Sequence, residues 1–304
     1  MTIHAYTAEL PPQVPLNPNA DAYGVECLRR SEAALSHVTS HLNIPYGDDY
    51  WQKVDVFAPR NVLDQEAMRT AAHDPLPVVL FFHGGGWTHG YKEWCAFMAP
   101  AIVSTPAIFV SVSYRLLPAV AFPAPYDDAY AALAWVYNHI AHYGGDPDRL
   151  HVAGHSAGGQ LACTLAVRSD LHEHIGLPGG VIKGCFSIST TFNRRTVNEA
   201  IAPHLVTNED PEAVSPESAM AFVHQTDVPF LITWGGKEAP RYDTWSRKMI
   251  AALRDARCPV AGHRFADRDH FSIHLGTEHV DDPWTVAVRH FLQFGTFHPG
   301  LNDE

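Results

Sequence analysis

Short, mainly apolar runs recur along the chain at residues 78–82, 107–113, 150–153, 182–188, 230–234 and 260–265. Runs of this length without alternation suit strands covered on both faces. Between them, residues 126–142, 157–168, 244–255 and 283–294 carry the mixed apolar and polar spacing of helices. Asp127 and Asp128 enrich a first helical turn in negative charge, and Gly144-Gly145 is suited to ending that helix. Earlier in the chain, residues 20–38 read as a helix and 41–45 as a short apolar piece. Lys53 to Phe57 alternates like a strand and stops before Pro59. Strand and helix in alternation predict an α/β fold with a mostly parallel sheet and helices on both faces. Residues 61–77 read as a surface excursion, and the Pro-containing stretch 193–227 as an insertion or cap on the sheet edge. The Pro/Asn-rich segment from Leu10 to Asn19 reads as an extended arm, suited to packing on a neighbouring subunit or covering a site entrance. The whole, residues 1–304, is expected to be one domain, with 1–40 forming the arm and first helix.

Composition narrows the function classes. The 304 residues are 46% hydrophobic and 18% charged, which is globular. Asp plus Glu number 33 against 21 Lys plus Arg, a net charge of −12. A nucleic acid or an anionic membrane would call for a basic face instead. No secretory leader or membrane span is legible, and the five cysteines form no CxxC pair. Both features point to a cytoplasmic protein with reduced thiols. The 20 histidines raise the question of a metal, but no HExxH occurs, and most are expected to be solvated or locally bonded.

Two motifs carry chemistry. Gly154-His155-Ser156-Ala157-Gly158 follows one predicted strand and opens a helix. Glycines two before and two after the serine allow a tight strand-to-helix turn that projects Ser156 as a nucleophile. His83-Gly84-Gly85-Gly86-Trp87 follows an earlier strand. Consecutive glycines let backbone amides face a ligand, as an oxyanion requires. The expected donors are the N–H groups of Gly85, Gly86 and Ala157. Each motif sits at the carboxyl end of a strand, where open parallel sheets place their sites.

Order along the chain then asks for an acid and a histidine downstream. His270, in the polar turn after the last strand, is the expected base, with His274 next; His263 falls inside the strand itself. Glu238, just after the 230–234 run, and Asp243, five residues later, are the candidate acids. Asp243 is also placed to meet a helix dipole. Trp87, Tyr91, Trp94 and Phe97 follow the glycine loop and could wall an aromatic pocket, with His83 beside them. A spacing of three at 91, 94 and 97 equally describes a helix face turned to the core.

With these residues in place the chain resembles the α/β-hydrolases of the kynurenine formamidase (arylformamidase) group, which borders the hormone-sensitive-lipase-like esterases. The resemblance runs from about Asn43 to Phe271. It rests on Ile44 to Asp48 with Lys53 to Phe57, and on the glycine loop with Lys92 and Ala96 to Met98. The nucleophile turn, Glu238-Ala239-Pro240 and Asp269-His270-Phe271 complete it. Ser113 to Leu116, Phe122 to Ala124 and Asp127 to Tyr130 look like the lipase side. Two positions depart from the pattern: Gly86 stands where some formamidases have an aromatic residue, and Glu238 where Asp is usual. The resemblance implies Ser156, Glu238 and His270 as a triad acting on a small aryl amide or ester, without metal or organic cofactor. A carboxylesterase of short acyl or aryl esters is the alternative. A fold-sharing binding protein without catalysis would lack a triad candidate, and none is lacking. A homo-oligomer is compatible with the arm.

Overall fold

The computed structural model describes residues 6–60, 74–193, 213–215 and 217–298. Eight strands form a single sheet: β1 (Thr39–Pro45), β2 (Lys53–Ala58), β3 (Leu76–Phe82), β4 (Ile108–Val112), β5 (Gly145–His155), β6 (Ile182–Ile188), β7 (Phe230–Gly235) and β8 (Val260–Phe265). Their order across the sheet is β1-β2-β4-β3-β5-β6-β7-β8. The first two strands are antiparallel to their neighbours, and β3 through β8 run parallel. The helices are α1 (Pro18–Ala34), α2 (Ala99–Val103), α3 (Ala124–His139), α4 (Ala157–Val167), α5 (Pro240–Asp255), α6 (Ser272–Gly276) and α7 (Pro283–Phe294).

Each apolar run became a strand because the sheet is sandwiched. Along β3 the side chains of Val78, Leu80 and Phe82 join the core on one face, while Val79 and Phe81 join that on the other. All five are fully buried, which explains the lack of alternation. The α3 helix passes into a 3₁₀ turn that ends at Gly144, whose φ of 81° is the left-handed conformation glycine adopts freely. Helix α5 starts at Pro240, four residues before the predicted start, since proline suits a first helical position. Asp243 therefore lies inside its first turn. Residues 61–73 of the predicted excursion, and 194–212 and 216 of the predicted cap, lie outside the described residues. At the described ends of that cap, Asn193 donates to the Ala213 carbonyl and accepts from Ser215 N and Ser218 Oγ. Among the described residues no helix is long and apolar enough to cross a membrane.

Strand order decides where the motifs meet. Strands β3 and β5 are neighbours although β4 lies between them in sequence, and Phe82 pairs with Gly154. The glycine loop and the Ser156 turn therefore leave adjacent strand ends side by side. Strands β6, β7 and β8 continue the row, so segments following Ile188, Gly235 and Phe265 open toward the same edge.

Candidate active site

Ser156 sits between β5 and α4 with φ 54° and ψ −117°. A non-glycine residue held there carries strain of about 1–3 kcal/mol, and such strain persists only where surrounding structure enforces it. Here Ser156 N donates to the Ile188 carbonyl (2.8 Å) and Gln160 N donates to the Ser156 carbonyl (3.2 Å). The flanking glycines are needed for space. A Cβ on Gly154 would overlap the backbone of Gly158, and a Cβ on Gly158 would overlap the Phe82 and His83 carbonyls.

His270 follows β8 and turns back to the serine, its Nε2 3.0 Å from Ser156 Oγ. Its Nδ1 lies 3.4 Å from Glu238 Oε2. The other Glu238 oxygen accepts from Gly235 N (2.8 Å) and from the Ser189 hydroxyl. Ser189 follows β6, is fully buried, and is a residue the sequence reading missed. Its φ of 51° re-aims the chain as it leaves the strand. Asp243 is elsewhere: it accepts from Trp234 Nε1 (2.9 Å) and Arg247 Nε (3.0 Å). Of the two acids, Glu238 is the one brought to His270.

The imidazole is held from both sides. The His155 ring lies 4.7 Å from that of His270, and its Nε2 donates to the His270 carbonyl at 2.8 Å. Burial, with His270 and His274 nearby, pushes the His155 pKa well down, so the ring stays neutral and keeps that donor. Tyr242, from the first turn of α5, packs its ring 4.6 Å from His270 on another side. Neither residue was anticipated; His155 stands between the glycine and the serine of the Gly154–Gly158 turn, and Tyr242 sits in an ordinary helix start. His274, the other candidate base, is fully buried. Its Nδ1 accepts from Tyr23 OH (2.7 Å), its Nε2 faces Met98 Sδ (3.3 Å), and burial takes its pKa down to about 3. His263 remains on β8 with its ring against Phe265.

Gly85, Gly86 and Ala157 line the same cavity as Ser156 and His270. The φ values of 117° at Gly85 and 62° at Gly86 are the left-handed turns that glycine permits. Thr88 N and His89 N both donate to the Gly85 carbonyl, which fixes the loop (3.1 and 3.0 Å). The cavity encloses about 330 Å³ and is walled by the rings of Tyr23, Trp87, Trp94, Tyr242 and Phe271. Leu16 and Asn17 of the N-terminal arm also line it, and Gln13 of the arm bonds both to Gly90 N and to the Gly90 carbonyl.

Three residues expected at the substrate pocket do not line it, and one of them, Phe97, is sealed in the core against the His274 ring. His83 is buried under the glycine loop, stacked 4.3 Å from Tyr114, with Nδ1 donating to the Gly84 carbonyl. Burial lowers its pKa to about 4, consistent with a neutral brace. Tyr91 stacks on Trp51 and donates to the Pro11 carbonyl, so it anchors the arm. The spacing of three belongs to the 3₁₀ turns Lys92–Trp94 and Ala96–Met98, in which residues three apart share a face. Among the described residues no group of three or more His, Cys, Asp or Glu side chains is placed to hold a metal ion. All five cysteines are buried and unbridged.

A family model described as the α/β-hydrolase fold matches residues 79–229, which include Ser156 but neither Glu238 nor His270. The fold is that of the α/β hydrolases. Among solved structures, esterase B from Lactobacillus rhamnosis shares it with a TM-score of 0.66 at 18% identity, covering 90% of this chain and 92% of that one. The chain is 47% identical over 106 residues to the carboxylesterase NlhH of Mycobacterium tuberculosis. That match takes in 34% of this chain and 32% of NlhH, so it spans about a third of that relative's length. The chain is also similar to the kynurenine formamidase of Danio rerio, at 25% identity over 247 residues, covering 80% of this chain and 78% of that protein.

Proposed function

We propose that the chain is a serine hydrolase cleaving a small aryl amide of the arylformamidase class through an acyl-enzyme at Ser156. The observation that carries this reading is the 3.0 Å contact between Ser156 Oγ and His270 Nε2 on a strained turn that opens into an aromatic cavity. His270 takes the Ser156 proton as the hydroxyl attacks the carbonyl carbon, and Glu238 holds the imidazole tautomer and stabilises the imidazolium. The Gly85, Gly86 and Ala157 amides receive the developing oxyanion. His270 then protonates the leaving nitrogen, and water, activated by the same imidazole, releases the acyl group.

Two features support the aryl amide. The cavity wall is a set of aromatic rings, suited to an aromatic leaving group. The similarity to the Danio rerio formamidase extends over most of both chains. The local identity to the mycobacterial carboxylesterase favours the second reading, hydrolysis of short acyl or aryl esters. Both readings use one triad. The test is kcat/KM for N-formylkynurenine beside a short-chain p-nitrophenyl ester, with wild type and Ser156→Ala. A preference for the formamide, lost by about 10⁴-fold or more in the variant, is expected for the first reading. Ester turnover alone moves the chain to the second, and turnover that survives Ser156→Ala removes both.

A further inference from the structure

Gln160 lies one helical turn beyond Ser156 on α4, is 2% exposed, and lines the cavity. Its Nε2 donates to Thr191 Oγ1 at 2.9 Å. The Thr191 hydroxyl points its own hydrogen toward the Asn193 carbonyl at 3.5 Å, so toward Gln160 it acts as acceptor. That chain sets the carboxamide orientation and leaves Oε1 as the unused end. Among the described residues Oε1 has no hydrogen-bond partner. A buried acceptor left without a donor carries a desolvation cost that a bound ligand can remove. Two other residues of the cavity wall, Trp87 and Trp94, also carry buried indole N–H groups without partners among the described residues. A wall of this kind is unsuited to a purely hydrocarbon ligand and matches one that both donates and accepts.

We infer that Gln160 is a specificity-determining residue whose carboxamide oxygen accepts the N–H of an amide substrate and so selects aryl amides over the isosteric esters. The inference rests on the reading of Ser156 as nucleophile. An amide presents a donor at the scissile bond, whereas an ester presents an oxygen carrying only lone pairs. A site built around a substrate N–H leaves its own acceptor unpaired when the analogue lacks that hydrogen, and discrimination follows from that loss. Sequence reasoning could not single out Gln160, since a polar residue in the first turn of a helix is unremarked until the fold buries it.

The test compares 4-nitroformanilide with 4-nitrophenyl formate, spontaneous hydrolysis subtracted, in wild type, Gln160→Met and Thr191→Val. Titration with a serine-directed phosphonate counts competent sites and normalises each rate. Methionine keeps the length and removes the acceptor, while valine at 191 frees the carboxamide to turn. The expected result is a fall in the amide-to-ester ratio of kcat/KM of about 10-fold to 100-fold for Gln160→Met, and a smaller fall for Thr191→Val. Should Gln160→Met yield no titratable sites, the fall in Thr191→Val decides the matter. Ser156-dependent turnover with the ratio unchanged, or no anilide turnover by wild type, overturns the inference while leaving the nucleophile in place. Turnover of neither substrate, or turnover that persists in Ser156→Ala, overturns both.

Discussion

At the scale of single residues, the arrangement around Ser156 depends on groups that stand behind the proposed triad. Glu238 is directed by Ser189 and Gly235, one hydrogen bond from a side chain and one from the backbone. Replacing Ser189 with alanine leaves one carboxylate lone pair buried without its donor. A hydrogen bond to a charged group contributes about 1.5–3 kcal/mol, so kcat/KM is expected to fall by roughly 10-fold to 100-fold. The loss belongs in kcat rather than KM, because Ser189 acts through Glu238 on the imidazole; a rise in KM at constant kcat would contradict that placement. Ser156 and His270, proposed as nucleophile and base, were singled out in sequence from glycine spacing and from position after the last strand, and the fold brings them within 3.0 Å. Choosing between Glu238 and Asp243 by geometry required the fold, since only the helix start at Pro240 turns Asp243 toward Trp234 and Arg247.

At the scale of elements, the strand-to-helix turn that presents Ser156 is also a packing problem. Helix α4 approaches the end of β3 so closely that Gly158 lies against the Phe82 and His83 carbonyls. Gly158→Ala forces either the helix or the glycine loop to move. Overpacking against backbone costs about 1–3 kcal/mol and occasionally more, and rigid carbonyls on two residues place this site toward the upper end. The expected outcome is a lowered urea midpoint together with loss of esterase or amidase turnover; a variant of unchanged midpoint would show that α4 has room to shift. Elements with buried faces on both sides were readable from mainly apolar runs. The short 3₁₀ turns after the glycine loop were not, because three-residue spacing also fits one face of an α-helix over so short a span.

At the scale of the whole molecule, the histidines make stability depend on pH. His83, His151 and His274 are buried, and burial pushes their pKa values down to about 4, about 4 and about 3; His155 is also well below its ordinary value for the same reason. As pH falls through about 6.5 the unfolded chain protonates these rings, whereas the folded chain keeps them neutral until about pH 4. The unfolded state therefore binds more protons in that window. Stability is full above about pH 6.5 and is lost as pH falls toward 4, by about 1.4 kcal/mol per pH unit for each ring. Depressed carboxylates such as Glu26 and Asp269 lose their contribution as pH falls further and so add to the decline, whereas the carboxyls of Glu93 and Asp127, raised by burial, oppose it. Urea unfolding at pH 7, 6 and 5 is expected to show a steep decline. A flat profile would mean that the rings are protonated in the folded state.

The sequence by itself determined the sheet-and-helix alternation, the nucleophile turn and the glycine loop, because each depends on local pattern: apolar runs for buried strands, glycine where the backbone needs room. Tertiary structure decided what those segments face. Only the placement of β3 beside β5 joins the two motifs, and only the succession of β6, β7 and β8 brings Ser189, Glu238 and His270 to one edge. Burial likewise separated His270, which is 22% exposed and reaches Ser156, from His274, which is sealed among Tyr23, Met98 and Phe81. Proximity between residues distant in the chain is set by long-range packing, and a local pattern of residue types carries no record of it.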